Sequence, residues 1–241
     1  MVDSRPLGLP QDLSEDLEDA TNRLVRTVDA IEDQDYAAPS GLPGWTRAHV
    51  VAHLALNAEG LAAALTGIVG GDDVPMYASQ EARDADIEEL AGAEPSTLRS
   101  RLMAAGTNFG EAVGAVPDDG WDVRIERAPG DRTFAAGAAI GMREREVEIH
   151  HADLVLGYRP ADWPLAFCRR LLDAMAKREG WVEPFTVHPT DMDGSWQCGS
   201  GTGRHCEVRG SAADLAWWLT GRGEGDGLTT DNGELPRIED W

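Results

Sequence analysis

Apolar residues in the first two thirds of the chain recur every three or four positions, which is the period of a helix buried along one side. This period predicts four main helices, at residues 13–31, 47–65, from 95 or 96 to about 109, and 134–156. The connections between them predict a short helix at 79–90 and an extended segment at 121–126. The second main helix is apolar on nearly all sides and has Gly67 as its expected C-cap, so we place it at the centre of a four-helix bundle.

The last third of the chain shows a different pattern, in which short alternating segments are separated by turn residues. It predicts helices at 165–179 and 212–219 and strands at 182–187, 195–198 and 205–208. We interpret the glycine-rich run 199–203 as a hairpin turn. Gly157, Pro160 and Pro164 mark a domain boundary. The expected fold is therefore mainly α, with a four-helix bundle at 1–158 and a small C-terminal α+β domain at 159–241.

The chain is strongly acidic, with 21 basic and 43 acidic residues among 241 and a net charge of −22. Such a charge repels phosphate backbones and anionic lipids, so we expect neither nucleic acid nor a membrane as a partner. A small anionic substrate would need positive charge concentrated at its binding site. Arginines near any candidate pocket therefore become candidates for substrate binding.

The cysteines and the N-terminal segment predict a reducing compartment. The three cysteines are odd in number and match no disulfide scaffold or four-cysteine zinc spacing, so we interpret them as free thiols. No basic segment followed by an apolar run begins the chain, and no run approaches 18 consecutive apolar residues. We expect a cytoplasmic, monomeric protein.

Four of the six histidines fall on two predicted core helices, and a glutamate suited to metal binding lies on one of the same helices. His49 and His53 lie four residues apart on the second helix, and Glu146 and His150 lie four apart on the fourth. Residues at this spacing share one helix face, so two helices can direct imidazoles and a carboxylate at one point. Two nitrogens and one oxygen with a fourth position open are typical of a catalytic zinc site. Either pair alone is equally typical of hydrogen-bonded histidines or of a surface ion pair.

The segment 44–53, Gly-Trp-Thr-Arg-Ala-His-Val-Val-Ala-His, resembles a signature of the mycothiol-dependent maleylpyruvate isomerase family, within the DinB-like metalloenzymes. Further segments are similar to that family, in the same order along the chain. They lie at 74–77, 81–83, 145–150, 153–154 and 221–236. Matches spread over nearly the whole chain indicate this family more specifically than any one motif does.

This resemblance implies a DinB-like N-terminal bundle, a C-terminal α+β domain, and zinc and mycothiol as cofactors. The zinc ligands that it implies are His53, Glu146 and His150. The family's essential arginine near the substrate corresponds to Arg222. His49 belongs to the signature without being a ligand, so a hydrogen-bonding role suits it.

The implied reaction converts maleylpyruvate to fumarylpyruvate, a cis-to-trans change about a C=C bond. A thiolate that adds to the conjugated alkene leaves a single bond that rotates, and elimination of the thiol gives the trans product. A metal lowers the pKa of the thiol, and it or a cation stabilises charge on the substrate oxygen. Arg222 is suited to bind a substrate carboxylate through two hydrogen bonds.

The ligand helix departs from the family pattern at two positions. Glu148 replaces the usual Trp, and His151 follows His150 where the family has Ala. His151 points about 100° away from His150 around the helix, so we expect it at the surface or in an interface. Both changes leave the implied ligands intact.

Two other functions stay open. One is an S-transferase that uses the same metal site and thiol but consumes the thiol. The other is a non-catalytic, zinc-stabilised binding protein, which would need a fourth protein ligand, such as His49, to close the site.

Overall fold

Helices form in the first part of the chain where the hydrophobic period predicts them. The computed structural model describes residues 11–200 and 206–238, and the chain divides into two units between Gly157 and Tyr158. The helices of the first unit are α1 (Gln11–Asp29), α2 (Arg47–Gly70), α3 (Gln80–Ala91), α4 (Pro95–Ala115) and α5 (Ala139–Asp153). α2 packs against α3, α4 and α5, and α1 packs mainly against α5. This arrangement makes α2 the central helix, as its all-round apolar pattern predicts.

The hydrophobicity of α2 has a structural explanation within the first unit. This helix is long and apolar enough to cross a bilayer by length and composition, but 72% of its apolar window is buried. Val50, Val51 and Leu54 are completely buried in the core. Packing inside the bundle therefore accounts for the apolar surface of α2. The cytoplasmic location stays a prediction.

Two helix boundaries differ from the sequence prediction. α2 continues three residues past Gly67 to Gly70, and Gly71 is the C-cap, with a φ of 78° in the left-handed region. Gly67 instead packs inside the helix, where an added Cβ would lie 2.7 Å from a side-chain carbon of Val74. Close packing rather than helix termination therefore explains this glycine.

α5 begins at Ala139 instead of residue 134. The residues before it form a two-stranded antiparallel sheet, in which β1 (Arg124–Glu126) pairs with β2 (Thr133–Ala135). A 3₁₀ turn at Ala136–Ala138 then leads into the helix. Pairing with β1 across the short connection 127–132 takes these residues out of the helix, and a helical apolar period does not reveal such pairing.

The second unit combines two helices with a four-stranded sheet. Its elements are α6 (Leu165–Ala176), β3 (Phe185–Pro189), β4 (Trp196–Cys198), β5 (Cys206–Gly210), α7 (Ala212–Leu219) and β6 (Thr229–Thr230). The sheet order is β4-β3-β5-β6. The predicted class, mainly α with a small C-terminal α+β region, is confirmed.

The prediction that β4 and β5 pair as a hairpin is wrong, and residues 201–203 of the predicted turn lie outside the described residues. β5 pairs with β3 in parallel, whereas β4 pairs with the other edge of β3. This order puts β3 inside the sheet, and its residues Phe185 and Val187 are almost completely buried. Burial of the apolar residues of β3 therefore decides the strand order, although the short connection between β4 and β5 would allow a hairpin.

Gly60 of α2 allows the chain before α3 to pass close to the helix. A Cβ added at Gly60 would lie 2.8 Å from the backbone oxygen of Met76 and 3.4 Å from the ring of Tyr77. We expect Gly60→Ala to lower the free energy of unfolding by about 1–3 kcal/mol. The added Cβ would be too close to the backbone of Met76, which cannot move aside as easily as a flexible side chain. Urea unfolding followed by circular dichroism measures this effect.

Gly110 of α4 provides the matched control for that substitution. A Cβ added there meets nothing within 4 Å, and alanine is the better helix former. Gly110→Ala should therefore raise the free energy of unfolding by about 0.5–1 kcal/mol. Equal effects at Gly60 and Gly110 would contradict the steric explanation.

Candidate metal centre

The central helix carries the first residue of a buried polar cluster. His53 lies in the second turn of α2 and is only 4% exposed, among apolar neighbours. Its Nε2 donates a hydrogen bond to Glu146 Oε2 at 2.8 Å. The ring of Trp45 lies 5.6 Å from the His53 ring, centroid to centroid. A polar side chain in such surroundings needs its partners, because an unpaired buried imidazole is costly.

Two residues one turn apart on α5 complete the cluster. Glu146 Oε2 also lies 3.2 Å from His150 Nε2, and the two histidine rings meet edge to face at 4.6 Å. One donor atom from each of His53, Glu146 and His150 lies within 4.8 Å of the other two. The structure therefore brings together the three residues that the family resemblance implies as metal ligands.

The donor set and spacing suit a divalent metal ion. Two atoms bound at about 2.0–2.2 Å to a tetrahedral zinc lie roughly 3.3–3.6 Å apart. The two short contacts to Glu146, at 2.8 Å and 3.2 Å, need only small adjustments to reach this spacing. Two imidazoles and one carboxylate match catalytic zinc sites, and they also suit other first-row metals.

The charge states of the cluster follow from burial and hydrogen bonding. Burial lowers the pKa of His53 to about 4, in spite of the opposing effect of Glu146. Burial would raise the pKa of Glu146, but its hydrogen bonds to His150 and His53 hold that pKa well below the usual range. His53 is thus neutral and Glu146 ionised at neutral pH, which are the states that bind a metal.

Asp153 fixes the orientation of His150. Its Oδ2 accepts a hydrogen bond from His150 Nδ1 at 2.8 Å, and the carboxylate is almost completely buried. Burial lowers the pKa of His150, but the hydrogen bond to Asp153 and the contact with Glu146 outweigh this effect and raise it. A carboxylate on the second nitrogen leaves Nε2 of His150 directed at the metal position, a common arrangement for metal-binding histidines.

We expect Asp153→Asn to weaken metal binding by about 10–100-fold, because the amide no longer supports the Nδ1–H tautomer with a negative charge. Competition with a coloured chelator measures the dissociation constant. An unchanged constant in a correctly folded variant would contradict a role for Asp153 in orienting His150.

A polar network continues from His53 away from the metal position. Arg83 of α3 donates from Nη2 to His53 Nδ1 at 3.1 Å, and its guanidinium lies 5.7 Å from the centre of the Tyr77 ring. Buried Arg143 of α5 donates to Asn57 Oδ1 at 2.9 Å. The contact between Arg83 and His53 was not predicted from the sequence. The one indication that Arg83 has a function was its place in a segment similar to the family, at 81–83.

His49 has a different position from His53, although both are on α2. Its Nδ1 bonds to the Thr46 backbone N–H at 3.2 Å and lies 2.7 Å from the Thr46 hydroxyl, so that it caps the helix. Its Nε2 lies 3.3 Å from Glu88 Oε2. Within the described residues the metal-binding cluster contains three side chains and does not include His49.

Of the two locations predicted for His151, the surface and an interface, the surface is wrong. His151 is 1% exposed, and its Nε2 lies 2.8 Å from the Thr27 hydroxyl of α1. Glu148 is buried on the same side of α5 and accepts a hydrogen bond from Arg23 Nη2 at 2.7 Å. α1 covers this side of α5, which is why polar residues of the ligand helix are buried there.

Arg222 belongs to the second unit and follows α7. Its Nη1 donates to the backbone oxygen of Thr220 at 3.3 Å, and its guanidinium lies 5.6 Å from the centre of a Trp217 ring. These contacts hold the side chain against an aromatic surface. The catalytic role of Arg222 stays a prediction.

Family models match both units of the chain. The model of the mycothiol maleylpyruvate isomerase N-terminal domain matches residues 17–155 and therefore includes all three cluster residues. The chain belongs to this isomerase family. The model of the corresponding C-terminal domain matches residues 162–239. The family resemblance and the isomerase class drawn from the sequence are thereby confirmed.

Solved structures of similar proteins agree with this membership. The chain is similar to crystal structures of the mycothiol-dependent maleylpyruvate isomerase and of its histidine-to-alanine mutant. Each comparison has a TM-score of 0.87 and 27% sequence identity, and covers 97% of this chain and 98% of the other. No curated protein sequence matches the chain.

Proposed function

We propose that this isomerase-family protein is a zinc- and mycothiol-dependent enzyme that converts maleylpyruvate to fumarylpyruvate. The observation that carries the proposal is the meeting of His53, Glu146 and His150 at one point of the bundle. In this proposal residues 1–158 form the metal-binding domain and residues 159–241 form the domain that supplies Arg222. The similarity to the solved mycothiol-dependent maleylpyruvate isomerase supports the substrate and the thiol.

Each of the three cluster residues has a defined task. His53 and His150 supply neutral nitrogens, and Glu146 supplies one negative charge to the site. Asp153 keeps the proton of His150 on Nδ1, away from the metal position. When bound, the metal lowers the pKa of a coordinated thiol, and the thiol supplies the nucleophile that converts the C=C bond to a rotatable single bond.

The apolar surroundings of the cluster favour strong electrostatic interactions with a bound substrate. Apolar residues of α2 surround His53, and Trp45 lies against its ring. Such surroundings exclude water and strengthen electrostatic interactions with a substrate that gains negative charge on its oxygen. Arg222, held against Trp217, is assigned to a substrate carboxylate.

The number of protein ligands argues for catalysis rather than structural stabilisation. A structural zinc site has four protein ligands, whereas a catalytic site has three and binds water or substrate at the fourth position. His49, the candidate fourth ligand, bonds to Thr46 and Glu88 instead. This arrangement speaks against the zinc-stabilised binding protein.

The test measures product and thiol in the same reaction. Zinc-loaded protein is incubated with maleylpyruvate, with and without mycothiol, while fumarylpyruvate and free thiol are both quantified. We expect fumarylpyruvate only in the presence of mycothiol, with all of the thiol recovered. Thiol consumed in proportion to substrate would identify an S-transferase, and the absence of turnover would overturn the proposed substrate.

A further inference from the structure

Arg83 lies close to the metal-binding cluster and is not one of its ligands. Ser79 caps α3, and Arg83 one turn later extends to the cluster. Its Nη2 donates to His53 Nδ1 at 3.1 Å, and its Nη1 donates to the exposed Asp84 at 2.8 Å. The side chain is 15% exposed and lies over Tyr77. A guanidinium is thus held in direct contact with a predicted metal ligand.

The contact between Arg83 and His53 determines which nitrogen of the imidazole carries the proton. A guanidinium has five N–H donors and no acceptor, so Nδ1 of His53 must be the acceptor in this hydrogen bond. The single proton of the neutral ring is then on Nε2, which donates to Glu146. Nε2 is the nitrogen that faces His150 and the metal position.

A metal ion on His53 Nε2 is incompatible with this hydrogen bond. Coordination requires the lone pair of Nε2, so the ring proton moves to Nδ1. Nδ1–H and the N–H of Arg83 would then be two donors facing each other at 3.1 Å. His150 has no such conflict, because its Nδ1 already donates to Asp153. Metal loading therefore displaces the guanidinium of Arg83 from His53.

The N–H group displaced from His53 needs a new acceptor next to a divalent cation, because the ion pair with Asp84 uses only Nη1. Asp84 is 59% exposed and remains in solvent, and the one charge of Glu146 is used by the metal. Arg83 Nε is buried and has no hydrogen-bond partner. A carboxylate bound through two parallel N–H···O bonds would satisfy Nε and Nη2 together.

We propose that Arg83 binds a carboxylate of the substrate in the metal-loaded site and competes with the metal in its absence. The inference rests on the proposed function, because it requires a metal on the cluster and a dicarboxylate substrate. Tyr77 keeps the guanidinium near the metal after its displacement, through contact with the face of its ring. Arg83 thereby determines specificity for anionic substrates.

The experiment compares Arg83→Gln with Arg127→Gln. Arg127 lies 5.5 Å from the centre of the same Tyr77 ring, but its Nη1 donates to Gln80 and Asp131 rather than to His53. Zinc affinity is measured on metal-free protein by competition with a coloured chelator. Maleate, a cis-dicarboxylate without the reactive ketone, is titrated calorimetrically into zinc-loaded protein.

We expect opposite changes in the two affinities of Arg83→Gln. Zinc should bind about tenfold more tightly, because the competing hydrogen bond and a positive charge are both removed. Maleate should bind at least about tenfold more weakly, because its charged partner is lost. Arg127→Gln should change neither affinity by more than about twofold, as expected for an exposed ion pair.

A purely structural role of Arg83 would weaken both affinities together and would overturn the inference, as would unchanged maleate binding. Arg83→Lys keeps the positive charge and should retain part of the maleate affinity that Arg83→Gln loses. The same two affinities are measured on Arg83→Lys if Arg83→Gln does not fold. A wild-type protein that binds no zinc would overturn the proposed function and this inference with it. Opposite shifts without isomerase turnover would uphold the inference and overturn only the proposed reaction.

Discussion

Glu146→Gln is expected to weaken metal binding and to lower isomerase activity, each by at least about a hundredfold. Loss of an orienting partner of a metal ligand already costs about 10–100-fold, and Glu146 is itself a ligand. Its carboxylate is the one negative charge in the cluster, and it contacts both His53 and His150. A neutral amide of nearly the same size removes that charge without creating a cavity, so the effect reports on electrostatics rather than on packing.

The measurements are the zinc content after dialysis, the zinc dissociation constant and kcat/KM with mycothiol. Glu88→Gln is the matched control, because Glu88 also lies next to a histidine of α2, at 3.3 Å from His49 Nε2. Its side chain is 69% exposed, and its loss should leave metal binding and activity within about twofold of wild type. Full zinc binding by Glu146→Gln would exclude the cluster as the metal site.

Arg222→Gln is expected to lower kcat/KM by about 10–100-fold while zinc binding stays unchanged. A hydrogen bond to a charged group contributes about 1.5–3 kcal/mol, and an arginine forms two such bonds with one carboxylate. The proposed substrate, maleylpyruvate, carries two negative charges, and the protein has a net charge of −22 that repels it. A positively charged side chain at the binding site therefore has a large effect on substrate affinity.

Arg169 is the matched control within the same unit. Its guanidinium also lies 5.6 Å from the centre of a tryptophan ring, that of Trp196, and it donates to the backbone oxygen of Asp193. The local contacts of Arg169 and Arg222 are thus alike, and Arg169→Gln should leave kcat/KM nearly unchanged. Equal losses in the two variants would indicate that Arg222 acts through local stability and not through the substrate.

Local sequence patterns were sufficient for the main helices of the first unit, and they made the three cluster residues candidate ligands together with His49. The family resemblance separated the three from His49. A four-residue spacing puts Glu146 and His150 on one face of α5 whatever surrounds the helix. His53 sits in an apolar run that is stable only inside a bundle. These properties depend on the geometry of one helix and on the cost of burying polar groups, and both can be evaluated from neighbouring residues.

Contacts between different elements could not be predicted from such local patterns. The parallel pairing of β3 with β5 passes over β4, which lies between them in sequence. The later start of α5 results from the pairing of β2 with β1 across a short connection, which a helical period does not show. His151 was expected at the surface or in an interface because it points away from His150 around the helix, and α1 covers that face in the fold.

The contact between Arg83 and His53 also could not be predicted from a local pattern. α3 and α2 meet only after the connection between them has folded back. Spacing along the chain placed the candidate metal ligands on their helices, and the family resemblance selected three of them. Which nitrogen of His53 carries a proton, and which arginine competes with the metal, depends on side chains that are 30 residues apart in sequence and neighbours only through packing. Hydrogen bonds of this kind form between surfaces that meet on folding, so no local period in the sequence encodes them.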